Sequence, residues 1–419
     1  MTNSSHSPTL NWRDPFRVKS FRFQWPADLA ASWAFEMETI VLGWYILAES
    51  GSVLMLVAYG SLQYLGSLVA PVFGVVCDRI GYRRMLWATR AVYAFIALVL
   101  MTLSYLQALT PERVLWLAAI VGCIRPSDQI MRNALIARTL PAEQLMGALG
   151  ISRMTSDSAR IAGALAGAGL VALLGMTSAY VVITAMYAIS FVLSRGVHDV
   201  AALLQNPIDQ TSPLKDLRLA FVYVWQKPVL MGAMALAFLV NLLAFPFSLG
   251  LLPYVAKNIY LTNQTGLGFL GASFALGGLL ASMTLSTHRF KLRAAQTMLL
   301  SACAWFILDF AFAFSTHLYT GMLILLFAGF VQSLCMTPLA AVMLRATTPA
   351  YHGRVMGMRM LAIWGLPIGL LISGPLVEGI GYGATAAIYS ALGLILTLAM
   401  TLYWRGALWD RESIANETL

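Results

Sequence analysis

Long apolar runs separated by short polar breaks occupy most of this chain of 419 residues. A helix needs about 20 predominantly apolar residues to cross a bilayer, and twelve of the runs reach that length. The pattern therefore predicts an all-α integral membrane protein with twelve transmembrane helices. The predicted spans are 24–48, 52–76, 85–107, 112–138, 144–174, 177–196, 229–254, 264–287, 294–315, 318–345, 354–377 and 382–404.

The longest polar interruption, residues 197–228, lies between the sixth and seventh runs. It contains the turn-forming pair Asn206-Pro207, followed by apolar residues at helical spacing from Leu214 to Val224. This composition predicts a cytoplasmic linker that ends in an amphipathic helix on the membrane surface. The predicted domains are an N-tail over 1–23, a six-helix bundle over 24–196, the linker over 197–228, a second six-helix bundle over 229–404 and a C-tail over 405–419.

A weak internal repeat relates the two predicted bundles. Pro126 of the fourth span matches Pro338 of the tenth at an offset of 212 residues. A Leu-Met-Gly segment ending at Gly147 matches a Val-Met-Gly segment ending at Gly357 at an offset of 210 residues. Two halves related by such an offset are typical of transporters built from parallel repeats.

Composition and charge support a membrane protein and fix its orientation. Apolar residues make up 59% of the chain and charged residues only 11%, against about 25% charged in soluble domains. The net charge is +9, but we do not expect nucleic acid as a partner, because Lys and Arg also hold cytoplasmic loops in place. Nineteen basic residues lie in or beside the tails and loops that would face one side of the membrane. Two, Arg113 and Lys257, lie in loops that would face the other side. This asymmetry predicts that both termini are cytoplasmic.

No catalytic or metal-binding pattern stands out in the sequence. The five histidines lack metal-ligand spacing, the four cysteines form no CxxC pair, and no G-x-x-x-x-G-K-[ST] nucleotide loop occurs. We therefore expect a protein that is not an enzyme, that binds no metal or cofactor, and that does not use ATP directly.

A segment rich in glycine and arginine follows the second span and reads Gly74-Val-Val-Cys-Asp78-Arg79-Ile-Gly81-Tyr-Arg83-Arg84. Gly81 can adopt a positive φ in a tight turn, and the arginines can pair with carboxylates or anionic lipids. The segment resembles the G-x-x-x-D-R-x-G-x-[RK]-[RK] signature of the major facilitator superfamily. The span count, the linker position and the orientation extend this resemblance over the whole chain. It implies two pseudo-symmetric six-helix bundles, a monomer, and transport of a small molecule by alternating access.

The resemblance also implies residues that gate the cytoplasmic side. Asp78 would meet the cytoplasmic end of the eleventh span near Arg354, and Arg359 lies close to that entrance. Arg79 and Arg83 would pair with carboxylates of the first half, such as Glu143. The implied gating residues are Gly74, Asp78, Arg79, Gly81, Arg83, Arg84, Glu143, Arg354 and Arg359.

A narrower resemblance rests on three segments, which read Pro126-Ser-Asp-Gln-Ile-Met-Arg132-Asn-Ala, Leu140-Pro141-Ala-Glu143-Gln-Leu and Gly353-Arg354-Val-Met-Gly357. They are similar to the bacterial efflux branch that includes enterobactin exporters and macrolide efflux pumps. The similarity implies export across a bacterial cytoplasmic membrane. The fifth span keeps the glycines of the family's antiporter pattern and lacks its proline, so import stays open as an alternative. Close helix packing explains these glycines equally well.

Six charged residues interrupt the fourth and fifth spans. Each costs about 2.5 kcal/mol or more in lipid unless it is paired or faces water. The charges fall on one face of each helix, so residues at equal depth on the two antiparallel spans should meet. This reasoning predicts two interhelical pairs, Asp128 with Arg153 and Arg125 with Asp157.

Two acids of the first span, Glu36 and Glu38, lie at similar depth and are the available counter-charges for Arg132 and Arg160. Residues two apart on a helix point about 200° apart, so only one of these acids can face a central cavity. Glu36 continues a small, polar stripe, and we expect it in the cavity, with Glu38 against a neighbouring helix. Together with Asp128, these acids are the predicted proton-coupling residues. The alternative is that the charges only fix the register of the helices.

Further residues are expected to line the cavity or the core around it. Pro126 and Pro338 interrupt matching spans, which points to a substrate site in transporters with repeats. Trp33 lies one turn before Glu36 and can stack on a flat ligand. Asp309 is a single acid in the apolar ninth span, and we expect it to pack in its protonated form against a neighbouring helix. The predicted substrate-cavity residues are Trp33, Arg125, Arg132, Arg153, Asp157, Arg160, Asn241 and Gln332.

These features predict a secondary active transporter that exports a small amphipathic molecule, of the drug or siderophore class, with coupling to protons. Its expected partners are this substrate, protons and the lipid bilayer. Two alternatives stay open. One is import or flipping of an anionic amphiphile such as a lysophospholipid, and the other is a membrane scaffold or sensor that moves nothing.

Overall fold

The described residues of the first half form five α-helices. The computed structural model describes residues 14–67, 77, 80–198, 219, 221–286, 293–348 and 351–408, and all regular structure within these ranges is helical. The helices of the first half are α1 (Lys19–Ser50), α2 (Val53–Leu62), α3 (Tyr82–Tyr105), α4 (Pro111–Thr139) and α5 (Ala142–Ser194).

Local sequence explains where several of these helices begin and end. The Thr110 hydroxyl accepts from the Arg113 N–H, and Pro111 occupies the first turn of α4, where its missing N–H costs nothing. Gly51 ends α1 in the left-handed conformation, with φ of 66°. Helix α5 contains the fifth and sixth predicted runs in one element, because the chain turns at Gly175 alone, with φ of 79° and ψ of 175°.

The second half contains a helix that is broken by two π-helical segments. After α6 (Pro228–Leu243), the chain continues through Pro246–Gly250, a short α-helical turn at Leu252–Tyr254, and Val255–Ile259. The remaining helices are α7 (Gln264–Ser286), α8 (Ala294–Ala313), α9 (Leu318–Arg345), α10 (His352–Ala362), α11 (Gly365–Ile380) and α12 (Tyr382–Tyr403), followed by the single turn Arg405–Leu408.

Nine helices in the described ranges are long and apolar enough to cross a membrane, so the twelve-span count stays a prediction. The difference from twelve arises at three places. The fifth and sixth runs form one helix, since only Gly175 separates them. Glu36 and Glu38 lower the hydropathy of α1, although it has 32 residues. The described part of the second run is a short apolar stretch over Val53–Ser67.

Each half has its own hydrophobic core. Met37, Ile46 and Tyr180 are fully buried in the first, and Trp305 and Phe306 are fully buried in the second. Helix α5 packs along α1 on one side and along α7 on the other, and α2 packs on α11. Contacts between the halves therefore run through α5 with α7 and through α2 with α11.

Glycines of the fifth predicted run allow α5 to approach α1 closely. A Cβ atom built on Gly167 would lie 2.9 Å from the Met37 Cα atom, and one built on Gly163 would lie 2.7 Å from the Glu36 Cβ atom. A Cβ atom on Gly169 would meet nothing within 4 Å in the described chain. Close packing of the two helices thus accounts for Gly163 and Gly167.

The predicted linker lies largely outside the described residues. Its last turn, residues 221–225, is helical and belongs to the second half through Tyr223. The Tyr223 ring stacks on Tyr351 with 4.4 Å between ring centroids, and its hydroxyl accepts from the Thr348 N–H at 3.1 Å. Phe221 and Trp225 are exposed, as expected for the membrane-facing side of an amphipathic helix.

Candidate functional site

Four charged side chains from three helices form a buried ion cluster in the first half. Arg90 of α3 lies with its Nη2 atom 2.8 Å from Asp28 Oδ1 of α1 and 3.1 Å from Asp128 Oδ1 of α4. Arg132, one turn after Asp128, lies with its Nε atom 2.7 Å from Asp128 Oδ2 and 3.4 Å from Asp28 Oδ1. We call these residues the four-charge cluster. The two negative charges of its carboxylates balance the two positive charges of its guanidinium groups.

Polar side chains of α1 extend the four-charge cluster. Arg132 donates from Nη1 to the Ser32 hydroxyl at 2.8 Å, and Gln24 donates to the Arg132 backbone carbonyl at 3.0 Å. These bonds tie α1 to α4 in the buried interior of the first half. The cluster therefore fixes how three helices pack, and it places Asp128 between two arginines.

The predicted pair between Asp128 and Arg153 is wrong, because the four-charge cluster holds Asp128. Arg153 instead pairs with Asp157 on its own helix, with 3.4 Å between Nε and Oδ2, and 67% of its side chain is exposed. The prediction assumed that α4 and α5 lie side by side over their length. Helix α5 packs mainly against α1 and hardly contacts α4.

The predicted pair between Arg125 and Asp157 is wrong for the same reason. Arg125 donates from Nη1 to Gln63 Oε1 at 2.6 Å, at the end of α2. Its guanidinium lies over the Phe35 ring of α1, with 3.2 Å between Cζ and the ring centroid. Arg125 is therefore held by an amide and an aromatic face, in a cation–π contact.

Arg160 meets Glu36, as the available counter-charges suggested. The Nε atom of Arg160 lies 3.9 Å from Glu36 Oε1, across the contact between α5 and α1. The two side chains are 38% and 25% exposed, so this ion pair is only partly buried. The other predicted counter-charge, Glu38, does not meet Arg132, which pairs with Asp28 and Asp128.

Glu38 is buried against aromatic hydroxyls. The Tyr187 hydroxyl of α5 donates to Glu38 Oε2 at 3.0 Å. Glu38 also lines a small cleft between α1, α2, α3 and α4, together with Arg125 and Gln63. The other lining residues are Phe35, Thr39, Leu42, Tyr59, Ile96, Leu100, Leu117, Ala118, Val121 and Gly122. The acid that was expected to face a neighbouring helix thus borders a cleft inside the first half.

The remaining predicted cavity residues differ in how they are held. The buried indole N–H of Trp33 has no hydrogen-bond partner within the described ranges. Asn241 donates to the Ala237 carbonyl of its own helix at 2.8 Å, and Gln332 Oε1 accepts from the Ser333 hydroxyl at 3.3 Å. Trp33 is therefore the one of these three residues with an unused buried donor.

Part of the predicted gate lies outside the described residues, namely Gly74, Asp78 and Arg79 and the side chains of Glu143 and Arg354. Gly81 precedes α3 with φ of 95°, so the expected glycine turn is present. Arg83 donates to the Arg195 backbone carbonyl at 3.1 Å, and Arg84 is exposed. Arg359 is half-buried in α10, and its positive charge is repelled by that of Arg153 in the other half.

Asp309 is buried in the second half, where it contacts a broken helix. Its Oδ1 atom accepts from the Ser248 hydroxyl at 2.7 Å, in the first π-helical segment. Sequence reasoning identified Asp309 as an acid that packs against a neighbouring helix, but it did not identify Ser248. It also missed Arg90, Gln63 and Tyr187, because each contacts partners on other helices that are at least 38 residues away in the sequence.

Comparison with known proteins places this geometry in a family context. A family model described as Major Facilitator Superfamily matches residues 29–367. No curated protein sequence matches the chain. Solved structures with the same architecture include the nucleoside transporter NupG, with a TM-score of 0.69 and 15% identity over 92% of this chain and 98% of that chain.

Two further solved structures are similar at comparable levels. A bacterial homologue of the human lysosomal transporter Spinster, inward-facing and unoccupied, has a TM-score of 0.67 and 13% identity over 92% of this chain and 95% of that chain. A POT family transporter in complex with 5-aminolevulinic acid has a TM-score of 0.71 and 12% identity over 93% and 96%. At such identities the likeness shows the fold alone.

Proposed function

Because the chain belongs to the major facilitator superfamily, we propose that it is a secondary transporter that couples protons to export of a small amphipathic molecule. The observation that carries this proposal is the ion pair between Glu36 and Arg160. The pair is long, at 3.9 Å, and both side chains are partly exposed. It lies where α1 packs on α5, beside Gly163.

In such a pair, a proton can take the place of Arg160 as the partner of Glu36. A proton that binds Glu36 removes the negative charge and releases the Arg160 guanidinium. Loss of the proton restores the attraction between the two side chains. A carrier that binds a proton at this pair on one side of the membrane and substrate on the other side can exchange the two.

The side chains that line the cleft beside Glu38 support an amphipathic substrate. Phe35 and Tyr59 offer aromatic surface, whereas Gln63 and Arg125 offer polar groups. Small-molecule sites commonly combine a mostly apolar lining with a few polar groups that orient the ligand. Glu38 and Asp128 remain proposed as further proton-coupling residues, with Asp128 held in the four-charge cluster.

The cellular setting and the direction of transport complete the proposal. The charge asymmetry supports cytoplasmic termini, and the resemblance to the efflux branch supports export from a bacterial cytoplasmic membrane by a monomer. Gating at the cytoplasmic side is proposed for the arginine-rich segment that includes Arg83 and Arg84 and for Arg354 and Arg359. The predicted boundaries of the two bundles and the linker belong to the same proposal.

A second candidate function is import or flipping of an anionic amphiphile. The observation that favours it is the basic surface of α5, where Arg153 is 67% exposed and Arg160 is 38% exposed. Exposed guanidinium groups bind phosphate and carboxylate groups well. In this function the arginines would bind the substrate head group, and Glu36 would only orient Arg160.

Proteoliposomes with an imposed pH gradient test the proposal. Purified protein should move ethidium, a cationic amphipathic dye, in the direction opposite to proton flow. Collapse of the pH gradient should stop this movement. Glu36→Gln should abolish proton-driven movement, since the amide cannot take up a proton. Glu49→Gln is the matched control, because Glu49 is exposed at the other end of α1.

The possible outcomes separate the candidate functions. Ethidium movement that persists unchanged in Glu36→Gln contradicts the proposed coupling site. Movement of a fluorescent lysophosphatidylglycerol in place of ethidium favours the second candidate. A protein that moves neither probe and co-purifies with a partner protein supports a scaffold or sensor.

A further inference from the structure

An isolated carboxyl group lies in the core of the second half. Asp309 of α8 is 1% exposed, and its Oδ1 atom accepts from the Ser248 hydroxyl at 2.7 Å. Ser248 in turn accepts from the Trp305 indole N–H at 2.9 Å. Within the described part of the chain, the buried Asp309 Oδ2 atom has no hydrogen-bond partner.

The described surroundings of Asp309 provide no positive charge to balance a carboxylate. Among described residues, no Lys or Arg nitrogen lies within 4 Å of the carboxyl group. Tyr382 of α12 and Tyr260 are close enough to interact electrostatically in this part of the core, and the buried Tyr382 hydroxyl has no partner in the described ranges. Helix α9 also packs on α8 and contributes apolar core side chains such as Leu325. A carboxylate buried without a counter-charge is unstable relative to its neutral form, so Asp309 holds a proton in this state.

The hydrogen-bond donor to Asp309 belongs to an irregular turn. Ser248 lies in the π-helical segment Pro246–Gly250, where the Leu251 N–H donates to the Pro246 carbonyl at 2.8 Å. Single π-helical turns inside α-helices occur frequently at functional sites. A change to α-helical geometry shifts the register by one residue, which rotates side chains by about 100° and would break the bond to Asp309.

The same broken helix makes a contact between the halves. Its second π-helical segment, Val255–Ile259, carries Lys257, whose ammonium donates to the Leu47 carbonyl of α1 at 2.9 Å. Leu47 lies near the end of α1 that the charge pattern places outside. One continuous stretch of chain thus connects the Asp309 site with the external contact.

We infer that Asp309 is a proton-binding site of the second half, loaded while the external side is closed and emptied when the Pro246–Ile259 stretch changes register. The proton resides on Oδ2 and leaves to water once the register change admits solvent, and the electron pair stays on the carboxylate. The role of this proton in coupling rests on the proposed function. The site is separate from Glu36, in the other half of the protein.

Infrared difference spectroscopy on the full chain in lipid tests whether the site holds a proton. At neutral pH, wild-type protein should show the C=O band of a neutral carboxyl group, and Asp309→Asn should lose this band. Ser248→Ala should keep the band and move its frequency, because the donor to Oδ1 is gone. Ser282→Ala is the matched control, since the Ser282 hydroxyl donates to the Gly278 carbonyl of its own helix.

Distances between spin labels test whether the site controls the external side. The native cysteines are first replaced, and spin labels are then attached at Leu106→Cys and Leu261→Cys. Leu106 and Leu261 are exposed, one on each half. In wild-type protein the distance distribution should shift toward longer distances at alkaline pH. Asp309→Asn should lose this shift and keep the short distance, and the control Ser282→Ala should retain it.

The outcomes distinguish this inference from the proposed function. A missing carboxyl band, or a full pH response of the distance in Asp309→Asn, overturns the inference. Should Asp309→Asn not fold, Ser248→Ala decides, because an unchanged band frequency overturns the inference as well. Neither readout needs a substrate, so the Asp309 site can be confirmed even where proton-coupled ethidium transport fails.

Discussion

Lys257 donates to the backbone carbonyl of Leu47 at 2.9 Å, and this hydrogen bond joins the two halves of the protein. The same ammonium donates to the Ala48 carbonyl at 3.2 Å. Both carbonyls belong to the last turns of α1, where helix carbonyls carry partial negative charge, and the Leu47 carbonyl also accepts from the Gly51 N–H at 3.1 Å. A lysine from the second half therefore caps a helix of the first half.

Removal of this cap should open the external side. A hydrogen bond to a charged group contributes about 1.5–3 kcal/mol, so Lys257→Met should shift the equilibrium toward the open state by roughly tenfold or more. Spin labels at the exposed positions Leu106 and Leu261 would show this as a longer distance between the halves. Lys257→Arg should preserve the short distance.

Arg113 provides the matched control for this prediction. It is the other basic residue that the charge pattern places outside, and it donates to the Ala108 carbonyl within its own half. Arg113→Met should leave the distance between the halves unchanged. An equal lengthening in both variants would show that general loss of external positive charge opens the protein.

The four-charge cluster predicts a large stability effect at Arg90. Arg90→Gln removes a cation that lies within 3.1 Å of both Asp28 and Asp128, and leaves two carboxylates to share Arg132. Breaking a buried ion pair costs about 3–5 kcal/mol, so thermal unfolding in detergent should occur at a clearly lower temperature. Arg153→Gln should change the unfolding temperature little, because Arg153 is mostly exposed. If Arg90→Gln lowered the unfolding temperature as little as Arg153→Gln, Arg90 would make no net contribution to stability.

Sequence reasoning located the charges of the first half and failed to pair them. Hydropathy and helical spacing show which residues are buried and which share a face, and on that basis Glu36 was a proposed partner for Arg160. Pairing by depth required α4 and α5 to be neighbours along their length, which the sequence does not show. Arg90 was not among the site predictions, since it is a lone charge in its run and its partners come from α1 and α4.

Alanine substitutions at two glycines of α5 distinguish a role in close packing from a role in chain flexibility. Gly167→Ala places a Cβ atom about 2.9 Å from the Met37 backbone, and overpacking of this kind typically costs about 1–3 kcal/mol. The variant should lower the unfolding temperature and weaken the contact between α5 and α1. Gly169→Ala is the control, because a Cβ atom there meets nothing within 4 Å in the described chain, and added helix propensity should leave stability equal or slightly higher. A destabilised Gly169→Ala would contradict the packing explanation.

The hydroxyl of Tyr187 should position Glu38, whereas its ring packs in the core of the first half. Its hydroxyl donates to Glu38 Oε2 at 3.0 Å, and its ring packs against Tyr93 with 5.6 Å between centroids. Tyr187→Phe keeps the ring contact and removes the hydrogen bond, so the unfolding temperature should fall by an amount corresponding to about 1–3 kcal/mol for the unsatisfied acid. If Glu38 takes part in coupling, the pH profile of ethidium transport should move in Tyr187→Phe and stay in place in Tyr93→Phe, which retains the donor to Glu38. A pH profile that is identical in both variants and in wild-type protein would leave Glu36 as the coupling acid and assign Glu38 to the structure of the cleft.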